Sequence, residues 1–284
     1  MCSNMGAGAR RAAAPAAPAA QAAAPAAAPA AAQQAASRLV SDTGVQDMDD
    51  ATLTALITRA LRVSITQDGR QDTPAQHIAD ALGLTANQPE SVPQEALAQY
   101  RSGTYESGTI YRTVKDIRGG KTARQLAHEL TSSTDYGLNF GGGRAWGTGL
   151  YFAGTGSRGS RLAGASESWC YGSTSNASYM MEARIKPTAR IATFADLNTA
   201  KARSWALAHK GALTKLGLQV TPTGDVNGNR RMGSDDVNTT VAMLMGYDGF
   251  RNGDSNTPYY VIWNRGALQV ARGNKYDRAG NRTL

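Results

Sequence analysis

The stretch "GTGLYFAG" at 147–154 constrains the fold more than any other part of the chain. Two glycines, 147 and 149, flank a threonine and lead into a short apolar run that reads as a strand. In a dinucleotide-binding βαβ unit the glycines follow a strand and open a helix. Here the strand comes after them, which excludes a wound Rossmann arrangement. A phosphate loop of the GxxxxGK[ST] type is absent from the sequence. The glycines therefore mark backbone that lies close to another strand, to a phosphate or to a flat ring on Tyr151.

Around this stretch, short strands and helices alternate without a regular order. "TIYRTV" (109–114) and "SYMMEARIKPTARIATF" (178–194, turning at Pro187) read as strands, as do "GYDGFRN" (246–252) and "PYYVIWNRGALQVAR" (258–272). "TARQLAHEL" (122–130), "ASESWCYG" (165–172) and "DDVNTTVAMLMGY" (235–247, stopping at Gly246) read as helices. "AKARSWALAHKGALTKLG" (200–217) reads as one amphipathic helix. Irregular mixing of this kind indicates α+β. No internal repeat is visible.

Residues 1–37 combine alanine and proline with no Leu, Ile, Val or Phe, so they lack the apolar surface to offset ordering entropy. They are expected to form a disordered, semi-extended tether. Prolines at 15, 18, 25 and 29 interrupt the alanine run, so no signal peptide is expected there. No segment reaches the roughly 18 apolar residues of a membrane-spanning helix. Residues 38–104 read as a small helical preface. "MDDATLTALITRALRV" spaces its leucines helically, "TPAQHIADALGL" carries Thr73 as cap, Pro74 at the first helical position and Gly83 as stop, and "VPQEALAQYR" is a third helix. Residues 105–272 form the main domain, and 273–284 a basic tail. A net charge of +8 suits acidic partners such as nucleotide phosphates or nucleic acid, or simply a solvated basic surface. Cys2 and Cys170 are the only cysteines, and His77, His128 and His209 are not at metal-ligand spacing. No structural disulfide, zinc site or nucleophile–base pair is expected.

The order of the pieces resembles the ADP-ribosyltransferase fold, in which two small sheets pinch an extended NAD. "GTGLYFA" is similar to the G-x-G-[IL]-Y-F-A strand of the poly(ADP-ribose) polymerase and diphtheria-toxin branch. "SESWCYG" is similar to the S-x-S-x-x-Y helix that follows it there, "YYVIWNRGALQV" to the closing strand and "MGYDGF" to the strand before it. Phage-encoded proteins of this kind carry the same pieces, with "YRTV" in front. The resemblance covers roughly 105–272 and implies an ADP-ribosyltransferase-like split β-sandwich with flanking helices. It implies NAD as substrate, bound by Arg112, Thr113, Gly149, Tyr151, Phe152, Ser168 and Tyr171. In this comparison Arg112 orients ribose or phosphate, Thr113 clamps the nicotinamide amide through its backbone, Tyr151 and Tyr171 sandwich the ring, and Ser168 bonds the carboxamide.

The chain departs from the family pattern in three places. Thr113 stands where the polymerases have glycine, and "GTGSRGSRLAGA" is extra between strand and helix. On the closing strand Tyr259 occupies the position of the catalytic glutamate, which leaves Glu182, Asp248 and Asp254 as alternative acids. The catalytic set implied is Arg112, Tyr151 and Tyr259. Each residue also has a plain structural reading: Arg112 as a surface strand residue, Tyr151 as a core aromatic, Glu182 as the partner of Arg184 or Lys186, Asp254 as a turn former. Two functions follow as expectations. One is a mono-ADP-ribosyltransferase-like protein acting on a macromolecular acceptor of a bacterial host. The other is a catalytically degenerate version serving as a phage virion or interaction protein, with the tether contacting other virion components. Both place the chain in a virion or in the host cytoplasm.

Overall fold

The computed structural model describes residues 47–63, 74–84, 87–92, 109–115, 121–132, 149–154, 178–228, 234–252, 258–271, 275–276 and 282–283. The expected tether and the helix "ASESWCYG", with Ser168 and Tyr171, lie outside these residues.

The chain opens with helix α1 (Asp50–Val63) and helix α2 (Pro74–Ala81). The Asp49 carboxylate accepts the Thr52 N–H at 2.7 Å, capping α1, and this bond holds its carboxyl below the usual carboxylate range. Leu53, Ile57 and Ala60 recur at helical spacing and are buried. Helix α2 stops at Gly83, whose φ of 70° lets its N–H reach Asp80 O while the Leu84 N–H reaches Ala79 O. The expected Thr73 cap lies outside the described residues.

Strand β1 (Glu90–Val92) follows, within the segment expected to begin a third helix at Val92. Next come β2 (Thr109–Lys115), α3 (Ala123–Ser132), β3 (Leu150–Gly154), β4 (Ser178–Ile185) and β5 (Ile191–Ala192). The short helix α4 (Phe194–Leu197) carries a capping box between Thr193 and Asp196. After it lie α5 (Ala200–Ala208), α6 (Lys210–Lys215), and the small pair β6 (Gln219–Val220) and β7 (Val226–Asn227). Helix α7 (Ser234–Leu244) ends at Gly246 as expected, with the Tyr247 N–H on Ala242 O. The chain then runs through β8 (Gly249–Asn252), β9 (Tyr259–Ile262), a 3₁₀ turn at Arg265–Ala267 and β10 (Leu268–Ala271). Two-residue strands β11 (Lys275–Tyr276) and β12 (Arg282–Thr283) pair antiparallel at the end.

Eight strands form one curled sheet in the order β1-β10-β4-β2-β3-β9-β8-β5. Its interior pairs are antiparallel, and only the outermost pairs, β1–β10 and β5–β8, are parallel. The molecule is thus a mixed α/β structure whose helices pack on a largely antiparallel sheet.

The expected single helix over 200–217 is two helices. The chain breaks at His209 (φ −109°, ψ 26°), which supplies no side-chain cap to α6. The cap comes from α1 instead: Asp50 Oδ1 accepts the Ala212 N–H at 2.9 Å. A Cβ at Gly211 would run into that same carboxylate. The buried His209 ring places Nδ1 2.7 Å from Trp205 O and Nε2 2.8 Å from Met48 O. A long-range lock to α1 therefore overrides the local helical pattern. Leu53 and Ile57 of α1, Ile78 of α2 and Leu82 just after it join the same buried cluster as the sheet's apolar side chains.

Candidate functional site

Side chains alternate between the two faces of a strand, so the pairing register assigns each residue a face. One face carries Ile110 and Val114 of β2, Met181, Ala183 and Ile185 of β4, Leu150 and Phe152 of β3, Tyr260 and Ile262 of β9, and Leu268 and Val270 of β10. All are buried and belong to the hydrophobic core.

The other face is substantially buried and mixed: Val261 and Phe250 are buried apolar residues on it, beside a row that is largely polar. Its central row crosses five strands by direct register: Glu182, Tyr111, Ala153, Tyr259 and Asn252. Glu182 and Tyr111 are fully buried, Asn252 nearly so, and Tyr259 half-buried. Tyr151 lies on this face one row along, opposite Val261, and Thr113 pairs with Met180 in the matching row of β2 and β4. Beyond Glu182, Arg184 donates to Gln269 Oε1, and Gln269 Nε2 donates to Glu90 Oε2 at 2.9 Å. Lys186 also reaches Glu90, at 3.7 Å. Ala153 is the small member of the row, with a tyrosine on each neighbouring strand.

The structure thus brings Tyr151, Tyr259 and Glu182 onto one face. Arg112 and Phe152 lie elsewhere. Arg112 pairs with Met181 and shares the apolar face with Ile110 and Val114. The β2–β3 ladder ends at Tyr111–Ala153, and just beyond it Arg112 Nη1 donates to Tyr151 O at 3.0 Å. Its Nε is buried with no hydrogen-bond partner among the described residues. Phe152 is 1% exposed and sits in the core opposite Tyr260. Gly149 is explained by a neighbouring strand, because a Cβ there would lie 2.7 Å from Val261 Cγ1 and 3.1 Å from Ile262 O.

The alternative acids separate as well. Asp248 is a structural knot: Oδ2 accepts the Arg190 N–H at 2.8 Å, Oδ1 accepts from Asn264 Nδ2 at 2.6 Å, and its carbonyl accepts from Trp263 and Asn264 N–H. Asp254 lies outside the described residues. Glu182 is the acid on the face of Tyr151 and Tyr259. Tyr111, its direct cross-strand neighbour, was not singled out from the sequence. The alternation of Ile110 and Val114 about it was the available signal. Among the described residues, no group of three or more His, Cys, Asp or Glu is placed to hold a metal ion, and no helix is long and apolar enough to cross a membrane.

Comparison of the chain with family models, with curated proteins and with solved structures found no match.

Proposed function

We propose that the polar face of the sheet binds NAD as substrate and that the chain is an ADP-ribosyltransferase-like enzyme of the split β-sandwich class. The reading rests on the resemblance of its motifs and on one structural observation: two of the motif tyrosines share a face with a fully buried carboxylate. Burying polar side chains costs free energy unless each finds a partner. In this reading nicotinamide stacks on Tyr151, and the sugar extends over Ala153 toward Tyr111 and Glu182. The nicotinamide–ribose C–N bond breaks with its electron pair leaving on nicotinamide, and the acceptor's nucleophile, losing a proton, bonds to the ribose carbon. Glu182 stabilises the positive charge that develops on the sugar, the kind of contribution that dominates many catalytic sites. Arg112 holds the Tyr151 backbone in register, so its role is to position the stacking residue.

Nicotinamide release from NAD by purified protein tests this. Glu182→Gln, which keeps the side-chain size, is expected to lower release by about 100-fold or more. Tyr151→Ala is expected to abolish the rise in melting temperature that NAD gives the folded protein by mass action. A folded wild-type protein whose melting point does not move at saturating NAD would end the reading. The second reading, an interaction protein of a phage virion, draws on Tyr259 standing where the resemblance leads to a glutamate. NAD binding with no nicotinamide release would favour it.

A further inference from the structure

We infer a second binding site, for a small planar anion, in a cleft lined by none of the residues of the polar sheet face. Four separate segments converge on this cleft of about 210 Å³: the approach to α1, the turn before β5, the start of α5 and the end of α7. Its size suits a single ring carrying a charged group.

The charge is supplied by Arg190 and Lys201, both lining the cleft. Neither makes an ion pair among the described residues. Arg190 is held in place without a carboxylate on its guanidinium: its Cζ lies over the Tyr247 ring, 4.8 Å from the centroid, and Nη1 donates to Gly246 O at 3.2 Å. Its backbone N–H is tied to Asp248. A guanidinium has five N–H donors, so most remain for an anion in the planar fork that matches phosphate or carboxylate oxygens. Lys201 projects from the first turn of α5, where the helix end adds a favourable field for negative charge.

The flat component is supplied by Tyr247 and Trp205, and the buried Met245 also lines the cleft. Trp205 stacks on His209 at 4.4 Å and 22°, which fixes the indole plane. Its Nε1–H has no hydrogen-bond partner among the described residues. Asp47 also lines the cleft.

Phenyl phosphate is the probe, titrated calorimetrically into the full-length protein, with inorganic phosphate and phenol as its separated halves. Saturable binding is expected, at least about tenfold tighter than either half. Lys201→Gln, on an exposed residue that does not hold the fold, is expected to weaken it about tenfold, and Arg190→Gln at least as much. Tyr151→Ala should leave it unchanged, which keeps this site distinct from the proposed NAD site. No binding by the folded wild type, equal binding by Lys201→Gln, or loss of binding in Tyr151→Ala would each overturn the inference. Inorganic phosphate binding as tightly as phenyl phosphate would overturn the planar part of it.

Discussion

The two faces of the central sheet are made by the same strands, residue by residue, and differ in almost everything else. On β3, Leu150 and Phe152 enter the core while Tyr151 and Ala153 look the other way. On β2, Ile110 and Val114 are core, while Tyr111 faces Glu182. One face does what apolar alternation always does, removing hydrocarbon from water at about 25 cal/mol per Å². The other buries hydroxyls, an amide and a carboxylate, which gain nothing from dehydration and must be satisfied one by one. Burial alone does not distinguish the faces. What a side chain needs once buried does.

Adjacent residues on β3 give the hardest test. Phe152→Ala removes a fully buried ring from the apolar face and is expected to cost about 3–5 kcal/mol. Tyr151→Ala, on the half-buried face, is expected to cost about 1 kcal/mol. Urea denaturation of the two variants checks this. Equal losses would mean that the faces are energetically alike and that the polar one is only a second core.

Much of this pattern is legible in the sequence, and the parts that are not share a cause. Helix stops at Gly83 and Gly246 follow from local chemistry, since glycine alone takes the left-handed turn cheaply. Strands 109–114 and 150–153 follow from their runs of β-branched and aromatic residues. The face of Arg112 was legible too, because Ile110, Arg112 and Val114 alternate together, but the motif resemblance drew it toward Tyr151. The break at His209 is set by Met48 and Asp50, about 160 positions away, and no local periodicity reports that. Strand β1 was hidden in the same way. Its three residues, Glu90–Val92, acquire strand geometry only beside Gln269–Ala271. Glu182 was visible as a carboxylate, but only the register of β2, β3, β4 and β9 puts it in one row with Tyr111 and Tyr259.

A middle-sized effect probes where the faces meet the next strand. Gly149 carries φ of 156° and abuts β9 so closely that a methyl group would press on Val261 and on the Ile262 carbonyl. Backbone cannot retreat as a flexible side chain can, so Gly149→Ala is expected to cost about 1–3 kcal/mol. It should also loosen the β3–β9 pairing that aligns Tyr151 with Val261. Hydrogen exchange at Leu150–Gly154 and Tyr259–Ile262 would show both strands losing protection together. Unchanged stability would mean that the glycine is there for something other than the close approach of β9.

The smallest expected effect separates two neighbouring tyrosines on β9. Tyr259 lies on the polar face between Ala153 and Asn252, and Tyr260 lies on the apolar face opposite Phe152, with its ring edge against Gly154. Replacing either by phenylalanine keeps the ring and deletes one hydroxyl. Tyr259 is half-buried, and in the proposed complex its hydroxyl would meet one ribose hydroxyl, a neutral hydrogen bond of about 1 kcal/mol. Tyr259→Phe is therefore expected to weaken NAD binding about fivefold while leaving the unfolding midpoint within about 0.5 kcal/mol of wild type. Tyr260→Phe should do the reverse. Its hydroxyl is inside the fold, so the loss falls on stability, about 1 kcal/mol, and NAD affinity stays put. Calorimetric titration with NAD beside urea denaturation of both variants reads the pair. If Tyr260→Phe weakens NAD and Tyr259→Phe does not, the ligand lies against the apolar side, and the assignment of the polar face to binding is wrong.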